Sequence, residues 1–186
     1  MIKYCGSSFK ISLLKLFNLC LSYHVWPWTI SKMIFLKKPG KNTYNNPSDY
    51  RPITISSYLS KLFEKLIYNR LIGFMEDNNL LEFAQEGFRK YRSCARYLFS
   101  LANHISSSLE ANSECLTLMC DFSKAFDSVW IKGLLFKLFH SGINGDLWTL
   151  LANFLLNRKV FLDVNDFMSD IFLCNFGVPQ GSVLAP

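Results

Sequence analysis

Apolar positions recur along this chain in two rhythms. From Ser57 on, Leu59, Leu62, Phe63, Leu66, Ile67, Leu71 and Phe74 return at three- and four-residue steps, with Lys61, Glu64, Lys65 and Asn69 between them. That spacing predicts an amphipathic helix with the apolar stripe in the core, ended by Glu76-Asp-Asn-Asn79. The same rhythm predicts a mostly buried helix over Ile11–Leu21, closed by Trp26-Pro27-Trp28, and a helix over Ala95–Leu109 packing Leu98, Leu101, Ala102 and Ile105 inward. Two shorter helices follow, Ile131–His140 stopped by Gly142, and Leu147–Leu156. Short apolar runs at Lys32–Leu36, Val160–Val164 and Ile171–Cys174 read as strands, the last two as a hairpin around Asn165–Asp170. Lys37–Lys41 is a turn and Asn42–Asp49 a polar loop. The loop leads into Tyr50-Arg-Pro-Ile53, where Pro52 biases Arg51 toward an extended backbone.

Between the helices lies Cys115-Leu-Thr-Leu-Met-Cys120, a continuous apolar run that predicts a strand buried on both faces. Asp121 stands where that strand ends, a Ser-Lys-Ala-Phe turn follows, and Asp127 precedes the next helix. A carboxylate on the rim of a buried strand is costly unless a cation, a helix N-terminus or a divalent metal sits beside it. Two readings stand on spacing alone: a metal-binding carboxylate, or Asp121 capping a turn and Asp127 capping the helix.

Charge sharpens the division between the two ends. The chain carries +6 overall, but residues 1–100 hold 15 Lys or Arg against 6 acids, and residues 101–186 hold 5 against 8. A basic first half beside an acidic second half suits a bound polyanion and metal-binding carboxylates, with solvated helix faces as the plainer alternative. Lys38, Lys41 and Arg51 fall close together on the predicted hairpin, as solvated loop charge or as a phosphate clamp. Arg89, Lys90, Arg92 and Arg96 are interleaved with Phe88, Tyr91 and Tyr97, a weak nucleic-acid footprint. Gly177-Val-Pro-Gln-Gly-Ser182 reads as a turn that also permits close approach to a ligand, with Gln180 able to donate and accept.

The six cysteines form no C-x-x-C pair, which argues against zinc, and most sit in apolar runs as buried free thiols do. The N-terminal apolar run is broken by Lys10, Lys15 and Asn18, so neither a signal peptide nor a membrane span is expected. These features predict an intracellular, reduced protein that is not secreted.

Lys-Pro-Gly-Lys, Tyr-Arg-Pro-Ile, Gln-x-Gly-Phe-Arg, Asp-Phe-Ser-Lys-Ala-Phe-Asp and Gly-x-Pro-Gln-Gly-Ser occur in that order. The series resembles the reverse transcriptase domain of non-LTR retrotransposons, nearest to jockey-like elements, from about Trp26 to Pro186. The resemblance implies an α+β right-hand polymerase fold, helix-rich with a small antiparallel sheet, with fingers over residues 1–110 and a partial palm over 111–186. It implies RNA-directed DNA polymerase chemistry: two-metal nucleotidyl transfer from a dNTP to the 3′-hydroxyl of a DNA primer on an RNA template, with Mg²⁺, or Mn²⁺ in its place. It implies nuclear action and no membrane partner.

By the same resemblance Asp121 is the first catalytic metal carboxylate, and the Phe122 carbonyl adds a metal ligand. Lys38 and Arg51 clamp the triphosphate, and Phe126 is the aromatic gate against a ribose 2′-hydroxyl. Gln180 and Gly181 line the nucleotide site, while Gln85, Gly87, Phe88 and Arg89 lie near the template. Asp127 is read as a structural or capping acid. The family's aromatic-x-Asp-Asp turn is expected beyond Pro186, as are strands pairing with the one that ends at Asp121 and the thumb, and an endonuclease domain is expected upstream. On that expectation this stretch is inactive alone, exposes an apolar sheet edge and is poorly soluble. The alternatives are a non-catalytic RNA- or DNA-binding remnant and a decayed element copy.

Overall fold

A computed structural model describes residues 4–40, 42–164 and 167–185. The expected phosphate-clamp member Lys41, the hairpin residues Asn165 and Asp166, and Pro186 lie outside the described residues. The chain forms two compact units, one made of residues up to Asn69 together with Lys124–Ala185, the other of Arg70–Ser123.

The first unit is built on a small sheet. Strand β1 (Ile30–Lys37) pairs antiparallel with β2 (Tyr50–Ile55), from Lys32 opposite Ile55 to Lys37 opposite Tyr50. On its other side β1 runs parallel to β3 (Lys159–Val164), from Ile30 opposite Lys159 to Met33 opposite Leu162. Two short strands share the far edge of β3: β5 (Phe172–Leu173) beside its start and β4 (Phe167–Met168) beside its end. The sheet is therefore mixed rather than wholly antiparallel. A parallel join needs a long crossover, and the chain between β1 and β3 supplies one that includes helices.

Helices α1 (Ser7–Ser22), α4 (Ile131–His140) and α5 (Gly145–Leu156), with the first part of α2 (Tyr58–Asp77), bury the core. Trp26 lies at its centre, with ring centroids 4.4 Å from Phe154 and 5.0 Å from Phe63, and Phe63 stacks on Phe17 at 4.9 Å. Leu150, Leu151 and Leu155 close the cluster from α5. Each such side chain removed from water contributes about 1.5–3 kcal/mol. The Trp148 indole donates to the Leu135 carbonyl at 2.9 Å and ties α5 to α4.

The stripe expected on α2 is rotated. Its buried residues are Ser60, Phe63, Glu64 and Ile67, while Leu59, Leu66 and Phe74 are exposed. The spacing of the buried set is equally helical, but two of its members are polar, so apolar pattern alone selected the neighbouring face.

The second unit departs further from expectation. Helix α3 (Cys94–Glu110) forms where the pattern places it, and Ser93 caps it by accepting from the Arg96 amide at 3.3 Å. None of its residues is buried, Leu98, Leu101, Ala102 and Ile105 included. Cys115–Cys120 forms no strand, and Leu116, Leu118 and Met119 are 97%, 85% and 83% exposed. A β ladder needs a neighbour to take its N–H and C=O groups, and no described segment supplies one. The apolar exposure expected for this stretch is present, but along an unpaired segment rather than a sheet edge. All six cysteines are free, yet only Cys20 is buried; the burial raises its thiol pKa.

Candidate nucleotide site

The β1–β2 hairpin is held at its mouth by backbone and side chain together. The Lys38 amide donates to the Asp49 carbonyl at 2.9 Å, and a short 3-10 helix, Pro47–Asp49, closes on the Asp49 carboxylate, which accepts from the Asn46 amide. The Lys38 ammonium donates to the Ser48 carbonyl at 2.8 Å, so its charge is turned into the loop. Arg51, opposite Leu36, is exposed, and no hydrogen bond or ion pair engages its side chain among the described residues. Of the expected phosphate ligands among the described residues, Arg51 is exposed and Lys38 is engaged by Ser48.

The Gly177–Ser182 segment is fastened by three backbone hydrogen bonds to two other parts of the same unit, the Phe126–Val129 turn and β2. The Val178 amide donates to the Phe126 carbonyl at 2.8 Å, and the Gly177 amide to the Val129 carbonyl at 3.0 Å. The Thr54 amide of β2 donates to the Gln180 carbonyl at 2.7 Å. Both glycines are needed. Gly177 has φ +69°, and an added Cβ would sit 2.7 Å from the Phe126 carbonyl oxygen; Gly181 has φ +114°, and its Cβ would sit 2.6 Å from the Thr54 carbonyl oxygen. Backbone contacts thus join Phe126, Gln180, Gly181 and the strand that bears Arg51. A cavity of about 230 Å³ opens among Pro52, Thr54, Asp127, Arg158, Gly177 and Gln180. Asp127 lines this cavity and does not cap α4, whose N-cap is Trp130 with no side-chain hydrogen bond.

Two buried charges complete the loop's supports. Glu64 is 1% exposed, and its carboxylate accepts from the hydroxyls of Ser60 at 2.9 Å and Ser182 at 2.6 Å and from the Val183 amide at 2.8 Å. Arg158 is 8% exposed and donates to the carbonyls of Leu155 at 3.2 Å, Phe176 at 3.0 Å and Gly177 at 2.5 Å. Burial pulls the Arg158 guanidinium below its ordinary pKa. Sequence reading passed over both residues. Ser60, Phe63, Glu64 and Ile67 at i, i+3, i+4 and i+7 were a signal for Glu64; nothing in the local pattern marked Arg158.

In the second unit Arg89 forms a bidentate ion pair with Glu76, with nitrogen–oxygen distances of 2.9 and 2.5 Å, and donates to the Glu82 carbonyl at 2.7 Å. The hydrogen bond from Arg89 holds the Glu76 carboxyl below the usual carboxylate range. Glu86 pairs with Arg92 at 3.1 Å and with Arg96 at 3.4 Å. Three of the four basic residues in the expected footprint are therefore engaged by two acids that the sequence reading did not weigh. Gln85 donates to the Gly87 carbonyl at 3.3 Å, and Phe88, with φ 60°, is 64% exposed. Asp121 and Phe122 are both exposed, and no group of three or more His, Cys, Asp or Glu side chains able to hold a metal ion occurs among the described residues. Asp121 offers hard oxygen donors of the kind Mg²⁺ prefers, but a single carboxylate holds it weakly without phosphate oxygens. No helix among the described residues is long and apolar enough to cross a membrane.

A glycine-bounded loop is locked against the β1–β2 hairpin and the Phe126–Val129 turn. The family profile for reverse transcriptase (RNA-dependent DNA polymerase) matches residues 36–186, and the chain belongs to that family. It is 35% identical over 176 residues to a "Probable RNA-directed DNA polymerase from transposon BS" of Drosophila melanogaster, covering 92% of this chain and 19% of the relative. It is 32% identical over 176 residues to the "RNA-directed DNA polymerase from mobile element jockey" of the same species, with the same coverage. A "Retrovirus-related Pol polyprotein from type-1 retrotransposable element R2" of Popillia japonica is 29% identical over 161 residues, 86% of this chain and 22% of that protein. The chain spans about a fifth of the length of these relatives.

Proposed function

We propose that this chain supplies the nucleotide-selecting part of an RNA-directed DNA polymerase that extends a DNA primer along an RNA template. The supporting observation is the backbone network that joins the Phe126 turn, the Gln180 loop and the Arg51 strand in one packed unit. In this reading residues 1–110 serve as fingers and 111–186 as part of the palm. Arg51 meets the triphosphate, with Lys38 joining once released from Ser48. Phe126 excludes a ribose 2′-hydroxyl, and Gln180 and Gly181 face the nascent base pair. Gln85, Gly87, Phe88 and Arg89 guide the template, Arg89 through the loop it holds to Glu76.

Asp121, with the Phe122 carbonyl, would hold Mg²⁺ or Mn²⁺, which when bound assists attack of the 3′-hydroxyl and stabilises the departing pyrophosphate. Because Asp121 belongs to no group of three or more His, Cys, Asp or Glu side chains able to hold a metal ion among the described residues, the chain binds nucleotide and hybrid but does not extend a primer alone. Action in the nucleus follows from the kinship with retrotransposon proteins.

The test is competition between dTTP and UTP for the chain on an oligo(dT)·poly(rA) hybrid. dTTP should bind more tightly, Phe126→Ala should erase the preference, and Arg51→Ala should weaken both nucleotides about tenfold, roughly the 1.4 kcal/mol of one charged contact. Equal binding of both nucleotides by the unmodified chain overturns the selecting role. Template-dependent synthesis that disappears on Asp121→Ala overturns the statement that the chain is inactive alone.

A further inference from the structure

The Gly177–Ser182 loop is held at each end by a charge that the fold buries without an opposite charge beside it. At its far end the Glu64 carboxylate collects two hydroxyl donors and the Val183 amide; at its near end the Arg158 guanidinium collects the carbonyls of Phe176 and Gly177. Neither residue takes part in an ion pair among the described residues, although both line one small cavity of about 20 Å³ with Ser60 and Ser182.

Burying a charge costs several kcal/mol unless hydrogen bonds satisfy it, and apolar side chains would fill the same space without that cost. What the charges add is direction. A carboxylate accepts at fixed lone pairs, a guanidinium donates in a rigid fork, and charge-assisted hydrogen bonds are roughly twice as strong as neutral ones. Between the two pins the Gln180 carbonyl is fixed by Thr54, while no hydrogen bond among the described residues engages the Gln180 side chain.

We propose that Glu64 and Arg158 are positioning residues that clamp the Gly177–Ser182 loop from opposite ends and so hold the Gln180 side chain ready for an incoming nucleotide. The clamp rests on geometry; its nucleotide role rests on the polymerase reading above.

Amide hydrogen exchange on the whole chain tests the clamp without ligand. Glu64→Gln turns one acceptor oxygen into a donor facing donors, Arg158→Met keeps bulk but removes the fork, and Ser182→Ala deletes one hydroxyl from a half-buried position and spares the fold. Exchange across residues 177–184 should rise about tenfold in the first two variants and less in the third, with α5 and β3 amides unchanged. Glu64→Gln and Ser182→Ala should be non-additive, because they remove the same bond. Unchanged loop exchange, or an equal rise throughout the chain, overturns the clamp.

A second arm measures dTTP and hybrid affinity. dTTP binding should weaken about tenfold in Glu64→Gln, with hybrid binding unchanged, a split that a merely structural residue would not produce. Equal dTTP binding in variant and parent overturns the positioning role. A parent chain that binds no dTTP, with the exchange arm as expected, overturns the polymerase reading and leaves the clamp standing.

Discussion

Two motif-bearing stretches, Gly177–Ser182 and Cys115–Phe122, are equally conspicuous as sequence, yet they fold to opposite degrees. Gly177, Val178 and Pro179 are buried, and hydrogen bonds with Phe126, Val129, Thr54, Glu64 and Arg158 fix the loop around them. Residues 116–122 are exposed throughout. The difference is one of neighbours. The loop lies among elements whose donors and acceptors match its own, whereas no strand among the described residues lies beside the apolar run to exchange hydrogen bonds with it. A recognisable motif is therefore no measure of how firmly its residues are held.

The sharpest way to break this comparison is at the packed end. Phe63→Ala removes a ring stacked on Phe17 and set against Trp26, and should cost about 3–5 kcal/mol in urea unfolding. A cost under 1 kcal/mol would mean that the aromatic cluster does not carry the first unit. Gly177→Ala places a Cβ against the Phe126 carbonyl in a left-handed backbone, for which strain and crowding together amount to about 3 kcal/mol. The same assay should find it comparably unstable, and a neutral result would release the loop from the role given to it here.

At the exposed end the expected effects are smaller. Glu76 has its carboxyl pKa depressed by Arg89, so the order of the Leu80–Ser93 segment is fully supported above the ordinary carboxylate range. That support is lost as pH falls through the depressed folded value. Exchange of the segment's amides should therefore rise on acidification, beyond the intrinsic pH effect, and Arg89→Ala should abolish the pH dependence. Smallest of all, Leu118→Ser with Met119→Ser should leave unfolding within about 0.5 kcal/mol of the parent while reducing self-association in sedimentation. A large loss of stability there would show that the run is packed after all.

Much of the architecture was legible before any coordinates. The helix spans over Ile11–Leu21, Ile131–His140 and Leu147–Leu156 and the strands at Lys32–Leu36 and Val160–Val164 all appear within a few residues of their predicted limits. Each needs only local periodicity and a stop, such as Gly142 after α4. The candidate site was legible as an ordered series of motifs, and its carriers were not. In sequence Glu64 is one more polar residue between apolar ones, and no local pattern marks Arg158. The footprint around Arg89 looked like free positive charge until Glu76 and Glu86 were seen to engage it.

Sequence alone determined which segments coil, where those helices stop, and to which family the ordered motifs belong, while the failure of Cys115–Cys120 to form a strand shows that extension also needs a neighbour. Tertiary structure decided which face of α2 turns inward, which charges are spent on internal hydrogen bonds and which, like Arg51, stay open. Those outcomes depend on partners beyond the local pattern, from Ser48, ten positions from Lys38, to Ser182, 118 positions from Glu64, whose hydroxyl makes that buried carboxylate tolerable.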